Sequence, residues 1–196
     1  MRKYFDVIIV GSGIAGLTSG IYLKEAGFNV IVITKNSEIS ECNTNYAQGG
    51  IVAYKEGDAK EKLIKDILEA GCNYNNYKAV EILAEEGPKL VFEFLIDKIG
   101  IDFSKNRNGK IDYTEEAAHS ERRIIHYKDH TGEKIETSLI EYAKKINLPI
   151  LTNFTAIDLI TNNHHSEDYQ ELYKQREVMG VYVLDNLSGE VHTFFS

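Results

Sequence analysis

Between two short apolar runs near the start of the chain lies Gly11-Ser12-Gly13-Ile14-Ala15-Gly16, and this arrangement restricts the fold more than any other feature. The first run, FDVIIV at 5–10, is short and β-branched, as expected of a strand buried on both faces in a parallel sheet. After the glycines, Leu17, Ile21, Leu23 and Ala26 follow helical spacing, and Gly27 predicts the stop. FNVIVIT, 28–34, reads as a second strand. Strand, glycine turn, helix and strand thus fit within about thirty residues, the size of a βαβ unit. At a helix N-terminus the first amides are unpaired and the dipole is positive, so an anion is stabilised there. Gly11 permits the tight turn, Gly13 lets the backbone approach a pyrophosphate, and Gly16 lets the helix pack on the strand. In this context the glycine pattern points to dinucleotide binding. The acidic residue that would bind ribose hydroxyls at the end of the second strand is missing: Thr34 or Lys35 holds that place, and nothing there selects NAD.

Further along, 59–70 places Leu63, Ile64, Ile67 and Leu68 on one helix face, ending at Gly71. Residues 76–99 predict two amphipathic helices broken at Gly87-Pro88. A turn at 106–109 between Ile101 and Tyr113 predicts a small β-hairpin, and ERRIIHYKD a strand. Residues 131–146 predict a helix with Thr131 as N-cap. PILTN and FTAIDLIT read as strands, 162–176 as a polar excursion, and VMGVYVLD with EVHTFF as a hairpin around NLSG. The fold class is α/β, with a parallel sheet, flanking helices and small β-hairpins. The last strand only begins to pair before Ser196 and no helix follows it, as expected of a fragment.

The 196 residues, 43% of them hydrophobic, suffice for a real core. A net charge of −8, without any cluster of five Lys or Arg, disfavours nucleic acid and anionic membrane surfaces as partners. Cys42 and Cys72 lie outside any CxxC spacing and suggest neither a disulfide framework nor a zinc knuckle. Asp6 inside the first apolar run argues against a signal peptide, and no stretch approaches the ~20 apolar residues of a membrane helix. A soluble, cytoplasmic protein is the expectation. His164 and His165 read as surface, with no third metal ligand at suitable spacing, so no metal site is expected.

With GSGIAGL, ITK, TNYAQGGI, EAAHSERRIIH and TGEKIETSLI in this order, the chain resembles the succinate dehydrogenase and fumarate reductase flavoprotein family, in its L-aspartate oxidase branch, over almost all of 4–196. The resemblance implies a Rossmann-like FAD-binding fold, incomplete relative to the family, with residues 1–196 as the N-terminal part of the FAD-binding domain. By that resemblance Gly11, Ser12, Gly13, Ile14, Ala15 and Gly16 form the pyrophosphate turn, Lys35 lies near the adenosine, and Thr155 and Ala156 contact the adenine side. Asn43, Thr44, Asn45, Tyr46, Ala47, Gln48, Gly49 and Gly50 run along the flavin, whose flat ring only glycine backbone can approach closely. A glycine-containing surface turn is the alternative reading of that stretch. Where the respiratory branch carries the histidine that binds flavin covalently, this chain has Asn43, which implies noncovalent FAD.

Glu116 matches a carboxylate set beside the substrate ammonium group, which would repel a dicarboxylate lacking an amine; a solvated hairpin rim is its plainer explanation. His119 is matched as a second substrate contact, although His119, Arg122, Arg123 and His126 also suit structural hydrogen bonding. The family usually has EGGHS where this chain has EAAHS, so Ala117 and Ala118 would be strained if that backbone has positive φ. The family chemistry is hydride transfer from substrate Cα to flavin, giving iminoaspartate from L-aspartate, with electrons passed to oxygen or fumarate. It opens quinolinate and NAD biosynthesis, which implies a functional link to quinolinate synthase. A capping domain, its carboxylate-binding arginine and a later flavin-binding segment are expected beyond Ser196. No catalytic residue is therefore assigned within the chain. A soluble, noncovalent fumarate reductase and a noncatalytic dinucleotide-binding module are the alternatives.

Overall fold

The structure is a computed structural model and describes residues 2–55, 57–164 and 166–196. The elements begin with β1 (Arg2–Tyr4), β2 (Val7–Val10), α1 (Ile14–Glu25), β3 (Val30–Ile33), the single turn α2 (Asn43–Tyr46) and β4 (Ile51–Val52). Next come α3 (Lys60–Ala70), α4 (Tyr77–Leu90), a π-helical segment (Val91–Lys98), β5 (Tyr113–Thr114), β6 (Ile124–Ile125) and α5 (Thr131–Lys145). Last are β7 (Ile150–Leu151), β8 (Phe154–Thr161), a 3₁₀ turn (Tyr169–Tyr173), β9 (Val178–Asp185) and β10 (Val191–Phe195). Two compact units result: one from the residues up to Asn45 together with Leu139–Ser196, the other from Tyr46–Ser138.

In the first unit β2 pairs in parallel with β3, from Val7 opposite Val30 to Val10 opposite Ile33, and β3 pairs in parallel with β7. Their apolar runs allow this, since all four residues of β3 are buried. Helix α1 buries Leu17, Gly20 and Ile21, and Gly27 ends it at φ +87°. A four-stranded sheet, in the order β1-β10-β9-β8, supplies Val181, Val183 and Phe194 to a shared core with Ile31 and Ile33. The expected hairpin around NLSG is present as antiparallel β9 and β10. Instead of only beginning to pair, β10 is hydrogen-bonded on both edges, because β1 lies parallel to it. Asn162 closes the polar excursion through Gln175 and Glu177. His164 there is half-buried and edge-on to Tyr182, while His165 lies outside the described residues.

In the second unit α3 and α4 bury Leu63, Ile64, Val80 and Ala84 against each other. The Asn76 side chain caps α4 by accepting from Ala79 N at 3.2 Å. The expected break at Gly87-Pro88 does not occur: α4 runs through Pro88 and continues directly into the π-helical segment. A proline there cannot donate to the carbonyl four residues back, which belongs to Ala84. The Tyr54 hydroxyl donates to that carbonyl instead. Burial and the Asp58 carboxylate hold the Tyr54 pKa above its ordinary value, so the phenol keeps the proton it donates.

Two further expectations are corrected. The strand predicted around 121–129 shortens to the two residues of β6, between antiparallel β4 and β5; beyond it Tyr127 N donates to the Thr131 hydroxyl and Lys128 turns to φ +47°. Thr131 lies inside α5 rather than capping it: Lys134 N donates to His130 O, and the Thr131 hydroxyl accepts from Tyr127 N at 3.0 Å. The turn at 106–109 forms as predicted, with Gly109 at φ +75°, but its arms pair only through a Lys105–Ile111 bridge and neighbouring loop hydrogen bonds.

Tyr54→Phe leaves the Ala84 carbonyl unpaired and is expected to lower stability by about 1–3 kcal/mol. The loss should be smaller in a Pro88→Ala background, where an amide is restored to that carbonyl. Thermal melts of the four proteins of this cycle measure both effects.

Candidate functional site

The glycine turn builds the first part of the site in the first unit. Gly11 follows β2 at φ +108°, with its amide held by Ile33 O at 2.8 Å. At Gly16 the α1 backbone comes so close to the turn that an added Cβ would lie 2.0 Å from the Gly11 carbonyl oxygen. Ser12 is buried, its hydroxyl donating to Ile39 O at 2.7 Å. Gly13 occupies the N-cap position in extended conformation, offers no side-chain cap, and is followed by no acidic residue in the first turn. The positive end of α1 therefore keeps its attraction for an anion. A contact thirty residues away reaches the same helix end: Thr44 Oγ1 accepts from Ile14 N at 3.0 Å. Within the first unit, α2 thus brings Thr44 of the 43–50 stretch to the glycine turn.

At the end of β3, Thr34 is buried and its backbone is bonded to Leu151 and Phe154. Exposed Lys35 is therefore the residue available for a ligand. Thr155 and Ala156, at the start of β8, are half-buried. The Lys35 carbonyl and the Thr155 hydroxyl share a partner, Asn186, which no motif singled out. The register of β8 on β9, with Phe154 opposite Asp185, places it there.

The second unit carries other residues singled out in the sequence. Tyr46, Ala47, Gln48 and Gly49 are exposed, and Ala47 O accepts from Gly132 N at 2.9 Å. The Glu116 carboxylate is brought to the end of this strip: Oε1 accepts from Gly50 N at 3.0 Å. Gly50 also has a reason internal to the fold, since an added Cβ would lie 2.1 Å from Ile124 Cγ2 and 2.6 Å from Ile125 O. Ala118 has φ +67°, so the strain expected of the Ala117-Ala118 pair falls on Ala118, and Ala117 is free of it. The half-buried His119 follows, with Nδ1 shielded from solvent and without a hydrogen-bond partner among the described residues.

What holds this loop in place was only half visible in the sequence. Arg123 is fully buried; Nε and Nη2 donate to Asp58 at 2.7 and 3.0 Å, and Nη1 donates to Asp66. Asp66 also accepts from the backbone N and the hydroxyl of Ser120 at 2.9 and 3.0 Å, four residues after Glu116. Burial pushes both carboxyls up, but hydrogen bonds from Arg123, Ser120 and the Ala59 amide outweigh it, and both titrate below the ordinary carboxylate range. Arg123 is therefore structural. Arg122 donates to Tyr113 O at 3.2 Å, and His126 lies 3.7 Å from Asp112.

Similarity to known proteins agrees with this geometry. Residues 6–196 match the family model described as FAD binding domain. L-aspartate oxidase of Acinetobacter baylyi is 38% identical over 98% of this chain and 34% of its own length. That of Clostridium acetobutylicum is 39% identical over 84% of this chain and 37% of its own length. The chain thus spans about a third of the length of these curated relatives. Among solved structures, E. coli quinol-fumarate reductase superposes with a TM-score of 0.85 at 18% identity, over 100% of this chain and 32% of its own. Mycobacterium smegmatis Sdh1 superposes at 0.82 with 24% identity, over 100% and 33%. At such identities these two show the shared fold.

Ala118→Gly relieves the left-handed backbone and is expected to stabilise the protein by about 1 kcal/mol, measured by denaturant unfolding. Arg123→Met leaves two buried carboxylates unpaired and is expected to cost about 3–5 kcal/mol at neutral pH. The wild-type contribution of Asp58 and Asp66 is present above an unfolded pKa of about 3.9 and is lost as pH falls through their lower folded values. Unfolding curves from pH 7 to pH 3 should therefore show the Arg123→Met penalty shrinking as the carboxylates protonate.

Proposed function

The chain belongs to the FAD binding domain family, and on that premise we propose that it is the cofactor-holding part of an L-aspartate oxidase with noncovalently bound FAD. The residues present fit such a group. The α1 N-terminus has no capping side chain at Gly13 and no acidic first turn, its Ile14 amide going to the Thr44 hydroxyl, and Ser12 to Gly16 present backbone where a pyrophosphate would lie. Lys35, Thr155 and Ala156 would take the adenosine end, and Asn43 to Gly50 the flavin. Asn43 has no imidazole for a covalent link to the ring. When bound, FAD supplies the acceptor for the hydride leaving the Cα of L-aspartate.

The observation that carries the substrate assignment is the Glu116–Gly50 contact. It fastens a carboxylate to the end of the strip assigned to the flavin, where it opposes a substrate ammonium group. His119, with its shielded and unpartnered Nδ1, is the second substrate-binding residue, suited to a carboxylate of aspartate. Among the described residues no helix is long and apolar enough to cross a membrane. Action in the cytoplasm, with oxygen or fumarate taking the electrons and the iminoaspartate passing to quinolinate synthase for NAD biosynthesis, belongs to the same proposal.

The test is an anaerobic absorption titration of the full-length protein. Aspartate is expected to bleach the flavin band and fumarate to restore it; bleaching by succinate alone would move the assignment to a fumarate reductase. The 196-residue chain by itself is expected to show no turnover, and robust aspartate oxidation by it would contradict a catalytic arginine in a further domain.

A further inference from the structure

Asn186, the first residue after β9, is exposed and belongs to no recognised motif, yet its side chain joins two separate segments of the first unit. Nδ2 donates to Lys35 O at 2.9 Å, and Oδ1 accepts from Thr155 Oγ1 at 3.0 Å. Its backbone N donates to Asn153 O at 2.8 Å; Asn153, at φ +62°, donates its own N to Asn36 O at 2.9 Å. Asn186 is thus anchored from three directions, two through its carboxamide and one through its backbone. A backbone carbonyl only accepts, so Lys35 fixes which end of the carboxamide is the NH₂, and Oδ1 is left facing Thr155. Opposite an acceptor, the Thr155 hydroxyl commits its single proton. Toward a ligand it then offers lone pairs alone.

We propose that Asn186 is a positioning residue for the nucleobase end of the cofactor site, holding the Lys35 and Thr155 segments together and making the Thr155 hydroxyl an acceptor. The site then selects a purine with an amino donor at position 6, as in adenine, over one with an oxo group, as in hypoxanthine. This rests on the reading of Lys35, Thr155 and Ala156 as adenosine-side residues of an FAD site. An oxo group facing the hydroxyl oxygen sets acceptor against acceptor, whereas an amino group completes the hydrogen bond.

ADP and IDP, which differ at position 6 and in the accompanying N1 proton, are competed against FAD in equilibrium dialysis. The full-length wild type is compared with its Asn186→Ala, Thr155→Val and Thr155→Ser variants. The wild type and Thr155→Ser are expected to prefer ADP by about tenfold, the size of one hydrogen bond lost to an unpaired contact. Asn186→Ala and Thr155→Val should fall below about twofold, with inorganic pyrophosphate competing equally in all four proteins. A preference retained in Asn186→Ala overturns the inference, as does equal weakening of ADP, IDP and pyrophosphate, which marks a general structural role. A wild type that binds FAD without distinguishing ADP from IDP overturns the inference alone. A wild type that binds no FAD overturns the FAD reading and the inference together.

Discussion

Helix α1 can lie against the end of β2 only because no side chain stands at Gly16, where a Cβ would sit 2.0 Å from the Gly11 carbonyl oxygen. That close approach aims the helix N-terminus at the turn, and the rest of the first unit is arranged around it. β3 and β7 extend the parallel sheet, the β8–β10 layer covers its apolar face, and α2 brings Thr44 to the amide of Ile14. A side chain at that single position would displace the helix and the anion-binding amides with it.

The second unit is organised by charge as well as by apolar packing. Helices α3 and α4 bury Leu63, Ile64, Val80 and Ala84 between them, while Arg123 gathers Asp58 and Asp66 and, through Asp66, Ser120. Removing a partner from such a cluster is costly because it strands a buried charge, whatever the net worth of the intact set. The loop bearing Glu116 and His119 is therefore tied down by ions on one side and by the Gly50 amide on the other. An apolar contact sliding by an ångström loses little; a bidentate pair does not allow the slide.

Sequence reasoning succeeded where the signal was local. The βαβ unit, the stop at Gly27 and the turn at 106–109 follow from residues within about thirty positions of one another, while the strain at Ala118 was expected from the resemblance. It failed where a distant partner reversed a local rule. Pro88 reads as a break, but the group it orphans is satisfied by a tyrosine thirty residues before Ala84. Arg123 was legible as a hydrogen-bonding arginine, whereas Asp58 and Asp66, 65 and 57 residues away, carried no periodic or motif signal. Gly50 was noticed for its approach to a ligand, and its contact with β6 could not be read before Ile124 was known to lie beneath it. Asn186 illustrates the same limit at the adenosine side, since only the strand register brings it to Thr155.

The parallel pairing of β1 with β10 has a consequence for how the molecule is made. Arg2 opposes Thr193, so the first strand waits on the ribosome until about 190 further residues have been added, roughly 10–40 s at ordinary rates of synthesis. During that interval β2, α1 and β3 can assemble from near neighbours, but the β1 edge has no partner. The sheet that covers the parallel layer is thus closed by a contact between residues about 190 positions apart. The emerging chain must keep a short strand bearing Tyr4 unpaired while those residues are made.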